Sequence, residues 1–123
     1  MLYNLIIMKT ESIFIQVLKR EIVFNIGQNQ SENFEVIDSA EDDDLWFHAK
    51  NVSSCHVICK LPNGIDKKDL RYIIKIGALL CKNNTNNLKS LKNIEIIYTQ
   101  IKNITKTNKL GCVIATNTKN IIC

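Results

Sequence analysis

The sequence predicts an α+β fold, with a mainly antiparallel sheet and one long buried helix over about residues 66–82. Runs of β-branched and aromatic residues occur both before and after that helix, whereas apolar residues recur at helical spacing within it. Because strands and helices do not alternate along the chain, a parallel βαβ arrangement is not expected. With 123 residues, the chain fits a single domain, residues 1–123, with one core.

The first two strands are predicted as a hairpin within residues 13–26, IFIQVLKREIVFNI, with its turn around Lys19 and Arg20. Gly27 ends the second strand. The polar and acidic residues that follow, 28–44, contain a small apolar group at positions 34, 36 and 37. We expect this segment to form a loop or a short helix over the sheet.

The next two strands, LWFHA and CHVICKL, contain the one tryptophan and both histidines of the chain. Alternate residues of a strand share a face, so Asp44, Trp46 and His48 point to one side. The same rule separates His56 from the cysteines on either side of it. If the two strands pair as a hairpin, both imidazoles lie on one face with the acid and the indole nearby, which indicates a candidate site.

The period of the apolar residues changes at Asp66, which can cap a helix, with Asp69 three residues later as in a capping box. Gly77 is unfavourable inside a helix by about 1 kcal/mol, and close packing on the sheet would explain it. After an Asn-rich linker, IEIIYT, a run to Ile104, GCVIAT and NIIC predict the remaining strands.

The composition is that of an ordinary globular protein, with 46% hydrophobic and 23% charged residues. No apolar run is long enough to cross a bilayer, and the opening MLYNLIIM lacks the basic start of a secretory signal. We therefore expect a cytoplasmic location and no membrane partner. The five cysteines are an odd number, which favours reduced, partly buried thiols over a disulfide framework.

The net charge of +4 is unevenly distributed. Residues 1–49 hold three basic and nine acidic side chains, whereas residues 50–123 hold thirteen basic and three acidic ones. A basic surface is what binding to the phosphates of a nucleic acid requires. Solvated surface lysines explain the same count if they do not cluster.

The stretch DDDLWFHAKNVSSCHVICKL, residues 42–61, resembles the D-x-W-F-H … S-S/G-x-H-V core of the NFACT-R domain family. This domain occurs in the NFACT proteins of ribosome quality control and, as a stand-alone type, in small eukaryotic coiled-coil proteins. The likeness covers about residues 12–122. It includes Gly27 with Asn33, and further positions at Gly77-Ala78, Tyr98-Thr99, Lys106 and Gly111.

The resemblance implies a nucleic-acid-binding module, with RNA favoured over DNA and the ribosome or tRNA as partners. The family that the chain resembles has no established catalytic reaction, so none is expected here. The sequence has no P-loop, G-x-G-x-x-G or H-E-x-x-H motif, and we expect neither a cofactor nor a metal. Two departures concern the site: Phe34 stands where the family has an acid, and Ser54 where long NFACT proteins often have Gly. The residues expected to bind nucleic acid are Asn33, Asp44, Trp46, His48, Ser54, His56, Lys102, Lys106 and Lys109.

Other interpretations of the same residues remain open. Trp46 fits a core position with a satisfied indole N–H as well as base stacking. The acidic residues 32–44 could dock on a basic protein, which would make the chain an interaction adapter. His48, His56 and Asp44 could serve a hydrolase. A zinc site is disfavoured because His56 lies on the strand face opposite Cys55 and Cys59.

Overall fold

The computed structural model describes residues 8–123. The opening segment, for which no secretory role is expected, lies largely outside these residues. Eight strands and two α-helices confirm the α+β class. Among the described helices, none is long and apolar enough to cross a membrane. The elements are β1 (Lys9–Ile15), β2 (Arg20–Gly27), α1 (Gln30–Asp38), β3 (Leu45–Ala49), β4 (His56–Lys60), α2 (Lys67–Asn83), β5 (Glu95–Gln100), a 3-10 turn (Ile101–Asn103), β6 (Ile104–Lys106), β7 (Val113–Ala115) and β8 (Lys119–Ile122).

Six strands form one sheet in the order β1-β2-β4-β3-β5-β8, and every neighbouring pair is antiparallel. The predicted β1–β2 hairpin is confirmed, although β1 begins at Lys9, earlier than expected. Its turn places Lys19 at a φ of 55°, a left-handed conformation that non-glycine residues seldom adopt. Strands β6 and β7 form a separate hairpin, which bends back toward α1.

One face of the sheet is covered by α2, and its side chains form the larger apolar core. Alternate residues of β3 and β4, such as Phe47 and Val57, point into this core and are fully buried. Gly77 of α2 lies directly on Phe47, because a Cβ at this position would overlap the aromatic ring. The close packing that the sequence suggested for this glycine is therefore confirmed.

The long helix lies one residue further along the chain than predicted. Asp66 occupies its N-cap position, but its side chain makes no capping hydrogen bond. The predicted capping box with Asp69 is therefore wrong. The buried helical residues, among them Ile73 and Ala78, stabilise the helix through the core that they share with the sheet.

The other face of the sheet is covered by the short helix α1. Asn29 caps this helix by accepting a hydrogen bond from the Glu32 backbone N–H at 2.9 Å, while a Glu32 carboxylate oxygen accepts one from Gln28 N–H. Val36 and Ile37 then pack against Trp46, Ile58 and Ile101 in a second, smaller core. The loop-or-helix alternative for residues 28–44 is thus resolved as a helix followed by turns.

All five cysteines are free thiols, as predicted. Cys55, Cys59 and Cys81 are buried in the α2-side core, where burial raises the pKa of Cys59 to about 12. His56 points to the opposite side of the sheet from its two flanking cysteines, as strand alternation requires.

Candidate nucleic-acid interface

A cavity of about 590 Å³ opens on the α1 side of the sheet. Its floor is formed by residues of β3, β4 and β5. One wall is the β3–β4 loop, residues 51–54, and another is the β6–β7 hairpin with its loop, residues 109–113 and 115. The start of α1 closes a third side. Six of the nine predicted binding residues line this cavity: Asn33, Trp46, His48, Ser54, His56 and Lys109.

The two histidines meet because β3 and β4 pair with Trp46 opposite Ile58 and Phe47 opposite Val57. Continuing this register by one residue brings His48 opposite His56. Their ring centroids are 4.8 Å apart, with the rings nearly perpendicular. The predicted convergence of both imidazoles on one face is confirmed.

Trp46 lies beneath this pair and is only 2% exposed. Its indole Nε1 donates a hydrogen bond to His56 Nδ1 at 3.0 Å, and its ring stacks on His48 with an interplanar angle of 4°. This burial supports the core interpretation of the residue, because an indole enclosed in this way has no free face for a base. Trp46 holds both imidazoles in place.

The hydrogen bonds also determine which ring nitrogens carry protons. His56 Nδ1 accepts from the indole, so the proton of the neutral ring is on Nε2. His48 Nδ1 lies 2.7 Å from the Ala49 carbonyl oxygen and therefore donates to it, which leaves its Nε2 as an acceptor. The pair offers one donor and one acceptor on neighbouring rings.

Both imidazoles favour the neutral form. Burial, and secondarily the proximity of His48, lowers the pKa of His56 to about 3. Burial also lowers the pKa of His48, and the hydrogen bond to the Ala49 carbonyl opposes this effect only in part. Charged imidazoles are therefore not expected at neutral pH.

Asn33 reaches the cavity from α1 and is 8% exposed. Its Oδ1 is buried and has no hydrogen-bond partner among residues 8–123. This placement depends on Gly27, since a Cβ there would lie 2.8 Å from Asn33 Oδ1 and from the Glu32 carbonyl oxygen. The family's glycine and asparagine thus act as one unit, which brings α1 close to the sheet.

The two loops at the walls are held by local contacts. Ser54 Oγ accepts a hydrogen bond from Ala49 N–H and lies 2.9 Å from the Cys55 carbonyl oxygen, which ties the β3–β4 loop to its strands. Gly111, at a φ of 81°, packs on Gln30, where a Cβ would lie 2.9 Å from the Gln30 Cα. The β6–β7 loop is therefore anchored on the start of α1.

Three of the nine predicted binding residues do not line the cavity. One of them is Asp44. Its carboxylate accepts hydrogen bonds from the backbone N–H groups of Glu41 and Leu61 and pairs with Lys60 at 2.8 Å. The expectation that this acid joins the imidazoles is wrong. Asp44 is on the predicted face, but it lies one residue before β3 begins, about 13 Å from His48 at the spacing of extended residues.

The other two are lysines that face carboxylates. Lys106 Nζ lies 2.6 Å from Asp38 Oδ1 and 5.2 Å from the centre of the Phe34 ring. Lys102 pairs more loosely with Asp43, at 3.6 Å. Their predicted phosphate contacts stay predictions, which would require these ion pairs to open. Lys109 has no such acidic partner within residues 8–123.

Sequence reasoning missed two apolar residues at the cavity walls. Val52 of the β3–β4 loop and Leu110 of the β6–β7 loop both line it, and each is 46% exposed. Their isolation within polar loops was the available signal. Within residues 8–123, no group of three or more His, Cys, Asp or Glu side chains is placed to hold a metal ion.

Comparison with known proteins identifies relatives over most of the chain. Coiled-coil domain-containing protein 25 of Danio rerio is 34% identical over 83 residues, which cover 67% of this chain and 40% of the relative. Its Dictyostelium discoideum homolog is 27% identical over 96 residues, covering 77% of this chain and 47% of the relative. The chain thus spans less than half the length of these curated relatives.

A solved structure shares the fold. It is the C-terminal part of the fibronectin/fibrinogen-binding protein from Streptococcus suis, with a TM-score of 0.70 and 20% sequence identity over 82% of this chain and 40% of that one. Residues 12–121 match the family described as the NFACT protein RNA binding domain. The chain therefore belongs to the NFACT protein RNA binding domain family, as the sequence resemblance indicated.

Proposed function

We propose that this chain is a nucleic-acid-binding module that binds RNA through the cavity between α1, the β3–β4 loop and the β6–β7 loop. One observation carries the proposal: in a member of an RNA binding domain family, this cavity is lined by Asn33, His48, His56 and Lys109. These groups come from four separate segments of the chain. Such convergence of polar groups on one concave surface is typical of a binding site.

Phosphate contacts supply most of the affinity in this proposal, because releasing counterions drives non-specific binding to nucleic acids. Lys109 is the best placed lysine, since it lines the cavity and its charge is not neutralised by a neighbouring carboxylate within residues 8–123. Lys102 and Lys106 are less well placed, because a phosphate would have to compete with Asp43 for Lys102 and with Asp38 for Lys106.

The adapter alternative is less well supported, because part of the acidic segment 32–44 is already neutralised within the chain. Asp38, Asp43 and Asp44 each pair with a lysine, at distances of 2.6, 3.6 and 2.8 Å. A basic partner protein would have to displace these lysines. The hydrolase alternative is also less well supported, because the carboxylate it requires, that of Asp44, pairs with Lys60 and lies away from the imidazoles.

Fluorescence anisotropy tests the proposal with three labelled ligands of equal length: single-stranded RNA, an RNA hairpin and duplex DNA. Each is titrated at two salt concentrations. We expect binding that weakens as salt rises, with both RNA ligands preferred. Absence of binding at low salt, or affinity independent of salt, would contradict the proposed function.

The resemblance extends the proposal to ribosomal RNA or tRNA in the cytoplasm as the natural source of the RNA. Pull-down of tagged protein from a lysate, with and without ribonuclease treatment, distinguishes this from protein docking. We expect ribosomal proteins to be recovered only without nuclease. Recovery that nuclease leaves unchanged would support the adapter alternative instead.

A further inference from the structure

The cavity combines apolar walls with a polar floor. Val52 and Leu110 come from two different loops and expose apolar surface at the cavity, while Asn33, His48 and His56 supply polar groups to it. Single exposed apolar residues are common on protein surfaces, so what matters here is that both line one cavity together with the polar groups. The ligand that fits such a surface has apolar faces and a polar edge.

The polar groups are arranged to recognise a neutral ligand. The hydrogen bonds from Trp46 and to Ala49 leave His56 Nε2–H as a donor and His48 Nε2 as an acceptor. Since burial lowers the pKa of both rings, neither adds positive charge at neutral pH. A phosphate inside the cavity would therefore meet uncharged imidazoles, which suit a heterocycle better than an anion.

Asn33 provides an independent sign of a ligand. Its Oδ1 is buried without a hydrogen-bond partner in residues 8–123, although an unpaired buried polar atom is unfavourable by about 1–3 kcal/mol. An amide can present either its oxygen or its NH₂ group, so it matches the paired donors and acceptors on the edge of a base. Because Oδ1 lies against Gly27, it can pair with a ligand only when the amide rotates toward the cavity that Asn33 lines.

We propose that the cavity receives one unpaired nucleobase of the bound strand, with its faces against Val52 and Leu110 and its polar edge toward Asn33, His48 and His56. This inference rests on the proposed function. Lys109, at the same cavity, then contacts a phosphate next to the inserted base. Enzymes and binding domains that take a base out of its stack hold it in the same way, by hydrogen bonds to its edge and apolar contacts to its faces.

The test compares two labelled strands of equal charge, each about ten nucleotides long: a single-stranded RNA and an abasic ribose-phosphate chain. Both are titrated by anisotropy into the wild type, Asn33→Ala, Lys109→Ala and Asn63→Ala. The last is a matched control, because Asn63 is exposed in the β4–α2 turn and does not line the cavity. Thermal melts of each variant accompany the titrations.

We expect the RNA to bind wild type and Asn63→Ala at least about five-fold more tightly than the abasic chain, the minimum that contact with one base contributes. Asn33→Ala should lose most of this difference while melting no earlier than the wild type, because it removes an unpaired buried amide. Lys109→Ala should weaken both strands about equally. A destabilised Asn33→Ala protein that keeps the preference would indicate a purely structural asparagine and would overturn the proposal.

The outcomes separate the two proposals. Equal, salt-dependent binding of RNA and abasic chain would overturn the nucleobase inference and leave the proposed RNA binding intact. If neither strand binds the wild type at low salt, both proposals fail.

Discussion

The two faces of the central sheet differ in chemistry although they share the same strands. On the α2 side, Phe47 and its neighbours are fully buried against a helix whose Gly77 lies directly on the ring. On the α1 side, the alternate residues Trp46 and His48 form a polar, hydrogen-bonded cluster beside an open cavity. Each strand therefore serves the core with one set of residues and the candidate site with the other.

This difference shows how a small domain can support a polar site. On the α1 side, Trp46 pairs with His56 and His48 pairs with the Ala49 carbonyl, whereas Asn33 Oδ1 is the one buried side-chain nitrogen or oxygen without a hydrogen bond in residues 8–123. The apolar α2 side supplies stability that does not depend on a ligand. Substitutions on the two faces should consequently separate stability from binding.

The largest effect is expected from Phe47→Ala on the α2 side. Removing a fully buried aromatic ring opposite Gly77 leaves a cavity and should lower the free energy of unfolding by about 3–5 kcal/mol. Chemical denaturation measures this change. RNA affinity measured well below the melting temperature should stay close to that of the wild type, and a specific loss of binding would contradict the division between the faces.

A smaller loss of stability is expected from Trp46→Phe on the α1 side. Phenylalanine retains an aromatic ring but has no N–H group for His56, so Nδ1 becomes an unpaired buried acceptor, at about 1–3 kcal/mol. Here RNA affinity should fall as well, because His48 and His56 lose their common support. Denaturation and anisotropy on the same protein check both effects, and unchanged affinity would show that Trp46 does not hold the site.

The pH dependence of stability should come mainly from the α1 side. His56 has a folded pKa of about 3, below its ordinary value, so between these values the unfolded chain binds more protons and stability falls as pH falls. From about pH 7 to about pH 5.5 the loss due to His56 should be about 1 kcal/mol, and the lowered pKa of His48 acts in the same direction.

His56→Gln is the control for this prediction, since its amide can accept from the indole but does not titrate. Urea denaturation at both pH values should show a smaller pH effect in this variant than in the wild type. Identical pH dependence in the two proteins would exclude His56 as its source.

The smallest expected effect distinguishes two lysines of the β6–β7 hairpin. Lys109→Ala should weaken all nucleic acids about equally and reduce the slope of log affinity against log salt by about one unit. Lys106→Ala should change the slope less, because Lys106 is already paired with Asp38. Salt titrations of both variants measure this, and a larger change for Lys106 would show that its ion pair opens on binding.

Sequence patterns predicted those parts of the fold that depend on local periodicity. Alternation along β3 and β4 was sufficient to place His48 and His56 on one face, and helical spacing located α2 to within one residue. The choice among the adapter, hydrolase and RNA-binding alternatives, by contrast, depends on which side chains pair with one another in the folded chain. Local patterns do not contain that information.

Contacts between distant segments explain what was missed. Lys106 is neutralised by Asp38, sixty-eight residues earlier, and this pairing exists only once the β6–β7 hairpin folds back on α1. Asp44 was assigned to the correct face, but its partners Lys60 and Leu61 hold it just before β3, away from the imidazoles. The unpaired Oδ1 of Asn33 could not be predicted from the sequence, because it is buried only where Gly27 lets α1 pack close to the sheet.

Whether the α1 side of the sheet binds RNA can be measured by titrating isotopically labelled protein with single-stranded RNA and following the backbone amide signals by NMR. We expect chemical-shift changes concentrated at Asn33, Ser54, Lys109 and Gly111 around the cavity, with the α2 helix unaffected. The exposed side of α2 carries basic residues of its own, among them Lys68, Arg71 and Lys75. Shifts concentrated on that helix, with the cavity residues unchanged, would show that RNA binds the α2 side instead.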